Sequence, residues 1–391
     1  MYLGEEEIGR PPRREGGGRR WRRKPKPRMP DWLKAVIQKS MVVPLHNHAF
    51  DPAACLLQSS LPIISTKIPC LAFFLGSPRC YYTMTGHADT EELTDEVRET
   101  FIHHNRTYQR YCVDRKIYFV PVDEDETIRL RLQHDVLTML FDGRSIFPPM
   151  GALRRVLDCG FGTGLWAFQV AWEHPRCEVI GIDMSPHHYN PEESVENLYL
   201  NVDNLNMPLQ FHSGHFDLIN SRLVAGGIDR NRWHGYMRDI LRCLRGGGWC
   251  QMVEIDFNAQ SDNGTITDGH ALRQWSDKYR QAMSQFKNPE APRRIAHWMR
   301  HAGFTDVEER MLPLPMCGWS DNQREFDIGV ANQENIRLLL GSLALYPFTE
   351  LLGMSITEFH VLVAQARAEA INPALKPYFR LYVCVGRKPR R

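Results

Sequence analysis

Residues 156–166, VLDCGFGTGLW, place three glycines at alternate positions behind an apolar run that ends in an aspartate. Such a run reads as a buried strand, and the glycines behind it let bare backbone turn tightly and come close to a ligand. The stretch GLWAFQVAWEH that follows reads as a helix, so the loop stands at the carboxyl end of a strand, where open α/β sheets bind their ligands.

The residues around the glycines sort the candidate ligands. A triphosphate loop needs a Lys and a Ser or Thr after its last glycine, whereas Leu165 and Trp166 follow Gly164. A dinucleotide fingerprint needs G-x-G-x-x-G, and the spacing Gly160, Gly162, Gly164 disfavours it. S-adenosyl-L-methionine suits the loop better, because its methionine end carries ammonium and sulfonium charge and no phosphate. Asp158 is placed to hold the ammonium, directly or through water, and donors at the helix start can meet the carboxylate. Asp183 closes CEVIGID, where a strand-end carboxylate can accept both ribose hydroxyls, and Asp203 in NLYLNVDN is placed for the adenine amino group.

Beyond the loop the chain alternates strands and helices: RRVLDC, GLWAFQVAWEH, CEVIGID, FDLINS, NRWHGYMRDILRCL and WCQMVEIDF. Alternation of this kind predicts an α/β fold, a parallel sheet with helices on both faces. In the helix over 231–244, Trp233, Tyr236, Met237, Ile240, Leu241 and Leu244 form one core-facing stripe, and Gly246–Gly248 break it before the next strand. Ahead of the sheet, acidic residues fill the first turn of a helix over 124–141, and Ile128, Leu132, Val136 and Leu140 recur at four-residue spacing. DVEERMLPL and YFRLYVCVGRK predict two further strands. The residues between them carry helical patterns with a capping box at Ser355–Glu358, and an insertion this long predicts a lid over 317–377.

Composition closes off other classes. Residues 1–30 hold ten Lys or Arg against four Glu in a chain of net charge +2, so the remainder is mildly acidic and direct nucleic-acid binding is not expected there. Residues 1–83 read as a basic, low-complexity, disordered arm whose Arg-rich run could be a nuclear address, and Met84 as a possible alternative start. The greasy stretch 59–78 is interrupted by Pro62, Lys67 and Pro69, which argues against a membrane span. Ten cysteines without C-x-x-C pairs or zinc spacing predict reduced thiols in the cytoplasm or nucleus and no metal cage. The adjacent pairs His103–His104 and His187–His188 point apart and predict no metal site either.

Residues from about 103 to 389 resemble the LaeA-like fungal methyltransferases of secondary metabolism. The resemblance rests on LDCGFGTGLW, RTYQRY, the run from Pro121 to His134, QMVEIDF, DGHALRQW from Asp268 to Trp275, and a final strand leading into RKP. Phe161 and Arg245 depart from the family, which commonly has a small residue and a proline there. The resemblance implies a class I Rossmann-like fold, a doubly wound seven-stranded sheet with its last strand antiparallel. It also implies a cap segment over 84–150 and an S-adenosylmethionine-dependent methyltransferase domain over 151–391.

Two functions follow from it: an enzyme methylating a small fungal metabolite, or a nuclear regulator working in a complex with velvet-type proteins. Methyl transfer from a sulfonium is an in-line displacement, so alignment of the acceptor dominates and proton removal helps only some acceptors. Glu254 and Asp256 share one face of the fifth strand and are candidate bases, as is His134 at the end of the cap motif. Arg222, behind FDLINS, is a candidate contact to substrate or to the cofactor carboxylate.

Overall fold

In a computed structural model the described residues are 94–190 and 195–390. The expectations for the basic arm, the greasy stretch and Met84 lie outside them. A one-turn helix α1 (Asp95–Arg98) leads into a hairpin of β1 (Thr100–His103) and β2 (Arg106–Gln109), then helices α2 (Arg110–Asp114) and α3 (Glu124–Leu140). The sheet follows with β3 (Arg155–Cys159), α4 (Leu165–Glu173), β4 (Glu178–Asp183), β5 (Leu198–Val202), β6 (Phe216–Arg222), α5 (Trp233–Cys243) and β7 (Leu244–Ser261). It is completed by α6 (Ala271–Met283), α7 (Ile295–Ala302), β8 (Thr305–Pro315), α8 (Gln323–Ser342), α9 (Ile356–Ala370) and β9 (Pro377–Arg387).

The seven sheet strands run in the order β5-β4-β3-β6-β7-β9-β8. β3 through β7 pair in parallel, and β9 inserts antiparallel between β7 and β8. This is the expected doubly wound α/β sheet with its last strand reversed. The order turns back beside β3, so the crevice between the carboxyl ends of β3 and β6 is the topological switch point.

Helices cover both faces because the strands are apolar on both. Leu157, Ile180, Ile219 and Met252 pack with Trp233, Tyr236 and Ile240 of α5 and Met299 of α7. On the opposite face Val253, Ile255 and Leu381 meet α3, α6, α8 and α9 through Val136, Leu272, Trp275, Leu339 and Phe359. The capping box at Ser355–Glu358 starts α9 as its sequence predicts. The helix that the glycines were expected to end stops at Cys243, and β7 begins already at Leu244. Gly246–Gly248 form a bulge in the strand, where Phe216 pairs with Leu244 but Leu218 with Trp249.

Two features were not foreseen. The β1–β2 hairpin is fastened to α3 by Asp123, which takes Arg106 Nε and Nη2 at 2.7 Å each and also caps α3 by accepting from Glu126 N. Helix α3 also turns differently from its four-residue stripe. Val136 and Leu140 are core, but Ile128 is 44% exposed while Glu126, Arg129 and Gln133 are buried. The reason is the company those three keep: Arg129 donates to Glu126 (2.7 Å) and Gln133 (2.7 Å), and to Asn335 of α8 (3.3 Å). A helix that meets both a partner helix and a cavity can bury polar groups, provided each is paired.

Removing one partner of a buried pair leaves the other charge without compensation, at a cost of about 3–5 kcal/mol. Arg129→Met should therefore lower the urea unfolding free energy by roughly that much, and the double variant Glu126→Gln, Arg129→Met should regain most of it. A loss below about 1 kcal/mol in the single variant would show the pair to be solvated.

Candidate active site

The glycine loop turns at the end of β3 with Gly160, Gly162 and Gly164 all at positive φ (77°, 56° and 78°). A side chain at Gly160 would lie 2.3 Å from Val224 Cγ1, whereas Gly162 faces open space. The loop amides are already committed. Gly160 N donates to Ile182 O (2.7 Å), Gly162 N to Asp183 Oδ2 (2.8 Å) and Gly164 N to Phe161 O (2.9 Å). A phosphate cradle needs such N–H groups aimed at the ligand, so this loop is not one. Phe161 is accommodated because Gly181 of β4 leaves it room: a Cβ there would sit 3.1 Å from the phenyl ring and 2.4 Å from Leu200. The ring meets Tyr189 edge-on at 6.4 Å.

One cavity of about 200 Å³ runs from the loop across the switch point. Its first end is lined by Gly160–Thr163, Asp183 and Asp203. Asp183 accepts from Gly162 N and from Ser185 N (2.9 Å), and Asp203 accepts from Asn204 N (2.7 Å), so each carboxylate keeps lone pairs for a ligand. Carboxylates without a nearby phosphate cradle suit hydroxyl donors and a cation. The arrangement thus fits the donor expected from the sequence.

Asp158 stands elsewhere. It is 2% exposed beneath the loop, accepts from Asn220 Nδ2 (2.7 Å), and is not among the cavity-lining residues. Asn220 in turn accepts from Gln251 Nε2 (2.9 Å), whose Oε1 accepts from Phe147 N (3.0 Å). Burial raises the Asp158 carboxyl to about 6, against the opposing pull of Asn220 and Arg222.

The second end of the cavity lies over β6 and β7, beneath α3 and α6, and includes Tyr118, Arg129, His134, Glu254, Phe257, Tyr279 and Met283. Arg222 donates from Nη2 to His134 Nδ1 (3.1 Å), which leaves the imidazole its proton on Nε2. Burial, then the charges of Arg222 and Arg131, depress the histidine to about 3, so it is neutral. His188, tied through Nδ1 to Thr127 Oγ1 (2.9 Å), is likewise lowered to about 4, chiefly by burial. Glu254 Oε1 accepts from Val224 N (2.8 Å) and Ala225 N (3.2 Å). It thereby pins a corner in which Leu223 adopts φ 60°, a conformation that costs a non-glycine residue about 1–2 kcal/mol. Asp256, on the same strand face, is taken out of the cavity by Arg293, which reaches it at 2.6 and 2.8 Å.

Sequence reasoning thus named residues now found in three places: Gly160, Gly162, Asp183, Asp203, His134, Arg222 and Glu254 around one cavity, Asp158 beneath it, and Asp256 beside it. Gly164 starts α4 at the loop's far side. The reading missed Tyr118, Arg129, Tyr279 and Lys287, because they approach through tertiary packing alone. Among the described residues no group of three or more His, Cys, Asp or Glu could hold a metal ion, and no helix is long and apolar enough to cross a membrane.

Burial raises Glu254 to about 8, in spite of its two backbone donors. The folded state therefore keeps a proton that an unfolded glutamate loses near 4.3, and this contribution to stability is complete at low pH and lost as pH rises through 8. The buried histidines act in the opposite sense only below about 6.5. Between pH 6.5 and 8, stability measured by urea unfolding should fall in the wild type and fall less in Glu254→Gln, whose amide oxygen can still accept both N–H groups. Equal slopes in the two proteins would show Glu254 to be ionised throughout.

Comparisons with known proteins show what the chain is similar to. Residues 106–309 match the family model described as a methyltransferase domain. The chain is 32% identical over 321 residues to the secondary metabolism regulator laeA of Monascus pilosus, covering 80% of this chain and 85% of that protein. It is 29% identical to the protein-methionine methyltransferase laeA of Emericella nidulans, covering 81% and 82%. A solved structure of phosphoethanolamine N-methyltransferase 2 from Haemonchus contortus is similar with a TM-score of 0.41 and 21% identity over 66% of this chain and 53% of that one. With a methyltransferase domain over half its length and these relatives across most of it, the chain belongs to the LaeA family of S-adenosylmethionine-dependent methyltransferases.

Proposed function

We propose that this protein methylates an acceptor drawn into the cavity, with a small molecule of fungal secondary metabolism as the first reading. The observation that carries it is the continuity of one cavity from the Asp183 and Asp203 carboxylates to the aromatic end over β6 and β7. S-adenosylmethionine, when bound, supplies an electrophilic methyl group. Gly160 and Gly162 give its methionine end bare backbone, Asp183 takes the ribose hydroxyls, and Asp203 takes the adenine amino group. Asp158 acts from below, through Asn220 and the strand ends, and holds the loop in place. Helices α3 and α6 roof the acceptor end, to which the 317–377 insertion adds Leu343, and exclude water.

The chain's own ionisable groups here are engaged. His134 accepts from Arg222, Arg129 and Glu126 satisfy each other, and Glu254 holds the Val224 corner with a raised pKa. In this reading Arg222 and Glu254 position, and neither Glu254 nor His134 removes a proton. Asp256 braces Arg293. Transfer then suits a nucleophile that carries no proton to lose. That observation favours a second reading beside the first, in which the acceptor is a methionine sulfur of a protein, as the name of the Emericella nidulans relative states for that protein. A regulatory role, as the name of the Monascus relative states for that protein, would accompany this second reading, and we propose velvet-type partners and a nuclear location with it.

Incubation with methyl-labelled cofactor and a fungal metabolite extract tests the two. Label in small molecules supports the first reading, and label confined to this chain or to co-purified protein supports the second. Asp183→Ala should weaken S-adenosylhomocysteine binding at least tenfold by calorimetry, because a strand-end carboxylate that accepts two hydroxyls contributes upward of about 1.5 kcal/mol. Unchanged affinity would remove Asp183 from the cofactor site.

A further inference from the structure

The acceptor end of the cavity contains two hydroxyls that the fold does not use. Tyr279, on α6, is 6% exposed, and Tyr118 lies on the segment between α2 and α3; both line the cavity. Among the described residues neither hydroxyl has a hydrogen-bond partner. A phenol hydroxyl that opens into a cavity and meets no protein group is free to bond to whatever enters, and here two of them line one end.

The two rings converge. A Cβ at Gly226 would lie 3.5 Å from Tyr118 Cε2 and 4.0 Å from the Tyr279 hydroxyl oxygen, so both rest against the same glycine. Tyr279 is held in place. Tyr279 stacks on Trp275 at 5.2 Å and meets Phe257 edge-on at 5.4 Å. Burial holds both phenols protonated, above their ordinary range. Both are therefore neutral donors with spare lone pairs, surrounded by Phe257, Met283 and Leu343.

Charge in this end is matched within the protein. Glu126 and Arg129 form a pair, and Lys287 Nζ donates to Asp229 at 2.6 Å and to Gly227 O at 3.1 Å. Arg222, which donates to a neutral histidine, has the Asp158 carboxylate beneath the loop as its electrostatic counterpart, so a charged ligand would have to compete for it and would lose its hydration. We propose that Tyr118 and Tyr279 form a clasp for the acceptor, taking a neutral group through a carbonyl-type oxygen while the apolar walls cover its body. This assignment rests on the methyltransferase reading above and adds the chemical class that the acceptor end selects.

Four probes of one size separate the possibilities: acetophenone, ethylbenzene, benzoate and benzylammonium, each titrated by saturation-transfer NMR into the full chain saturated with S-adenosylhomocysteine. Acetophenone should bind tightest. Tyr279→Phe and Tyr118→Phe should each weaken it about five- to tenfold, the worth of one hydrogen bond, and leave ethylbenzene and S-adenosylhomocysteine unchanged. A general loosening of the fold would instead weaken ethylbenzene as well, which overturns the clasp. So would a preference for either ion, an unaltered acetophenone affinity, or a Tyr118→Phe effect confined to S-adenosylhomocysteine. Failure of the wild-type protein to bind S-adenosylhomocysteine overturns the underlying reading, and the clasp with it.

Discussion

Three polar side chains set into apolar strands fix the registration of the central sheet. Asp158 of β3, Asn220 of β6 and Gln251 of β7 stand opposite one another in register, and each is 2% exposed or less. Asn220 donates to Asp158 and accepts from Gln251, and Gln251 also donates to Ser145 O and accepts from Phe147 N. A slip of one residue would turn every member to the other face and leave each buried group without a partner, at about 1–3 kcal/mol apiece. The ladder thus pays for its burial by choosing one arrangement of the strands whose ends form the crevice, and Gly160 lies two residues beyond it.

Above the ladder, the loop's bonding decides what the crevice accepts. Because Gly162 spends its N–H on Asp183, the loop and the end of β4 are a single unit, and the carboxylate is aimed by the backbone it holds. Gly181 and Phe161 are complementary for the same reason: the strand gives up a side chain where the loop supplies a large one. On the far side Glu254 does comparable work for the Leu223 corner. Over the same sheet face, α3 is tied to α8 by the buried Arg129–Asn335 hydrogen bond.

The sheet was legible because β3, β4, β6 and β7 are apolar runs separated by helix patterns, and the ends of α9 because its capping box is local. The carboxylates Asp183 and Asp203 were legible for the same reason, being fixed by position at a strand end. The β1–β2 hairpin was not, since its four-residue strands are held by Arg106, Asp123 and Ser342, hundreds of residues apart in part. The stripe on α3 misled because hydrophobic period alone cannot tell a buried Glu126–Arg129 pair from a solvated one. Asp158 misled in another way. Its place before the glycines suggested a ligand, yet the signal for its partners was present in the interruptions LDC, INS and CQM of the neighbouring strands. Tyr118 and Tyr279 carry no local signal, since only the tertiary fold brings them to Gly226.

The position of β9 has a consequence for biosynthesis. Edge strand β8 leaves the ribosome well before β9, yet its place in the sheet is beside β9 and not beside β7. Through the synthesis of α8 and α9, β8 has no neighbour to join, and β7 presents an open flank. The charged residues of β8, Asp306, Glu308, Glu309 and Arg310, keep that waiting strand from recruiting other nascent chains. Chaperone demand should accordingly peak late in translation, when the rest of the sheet is already assembled.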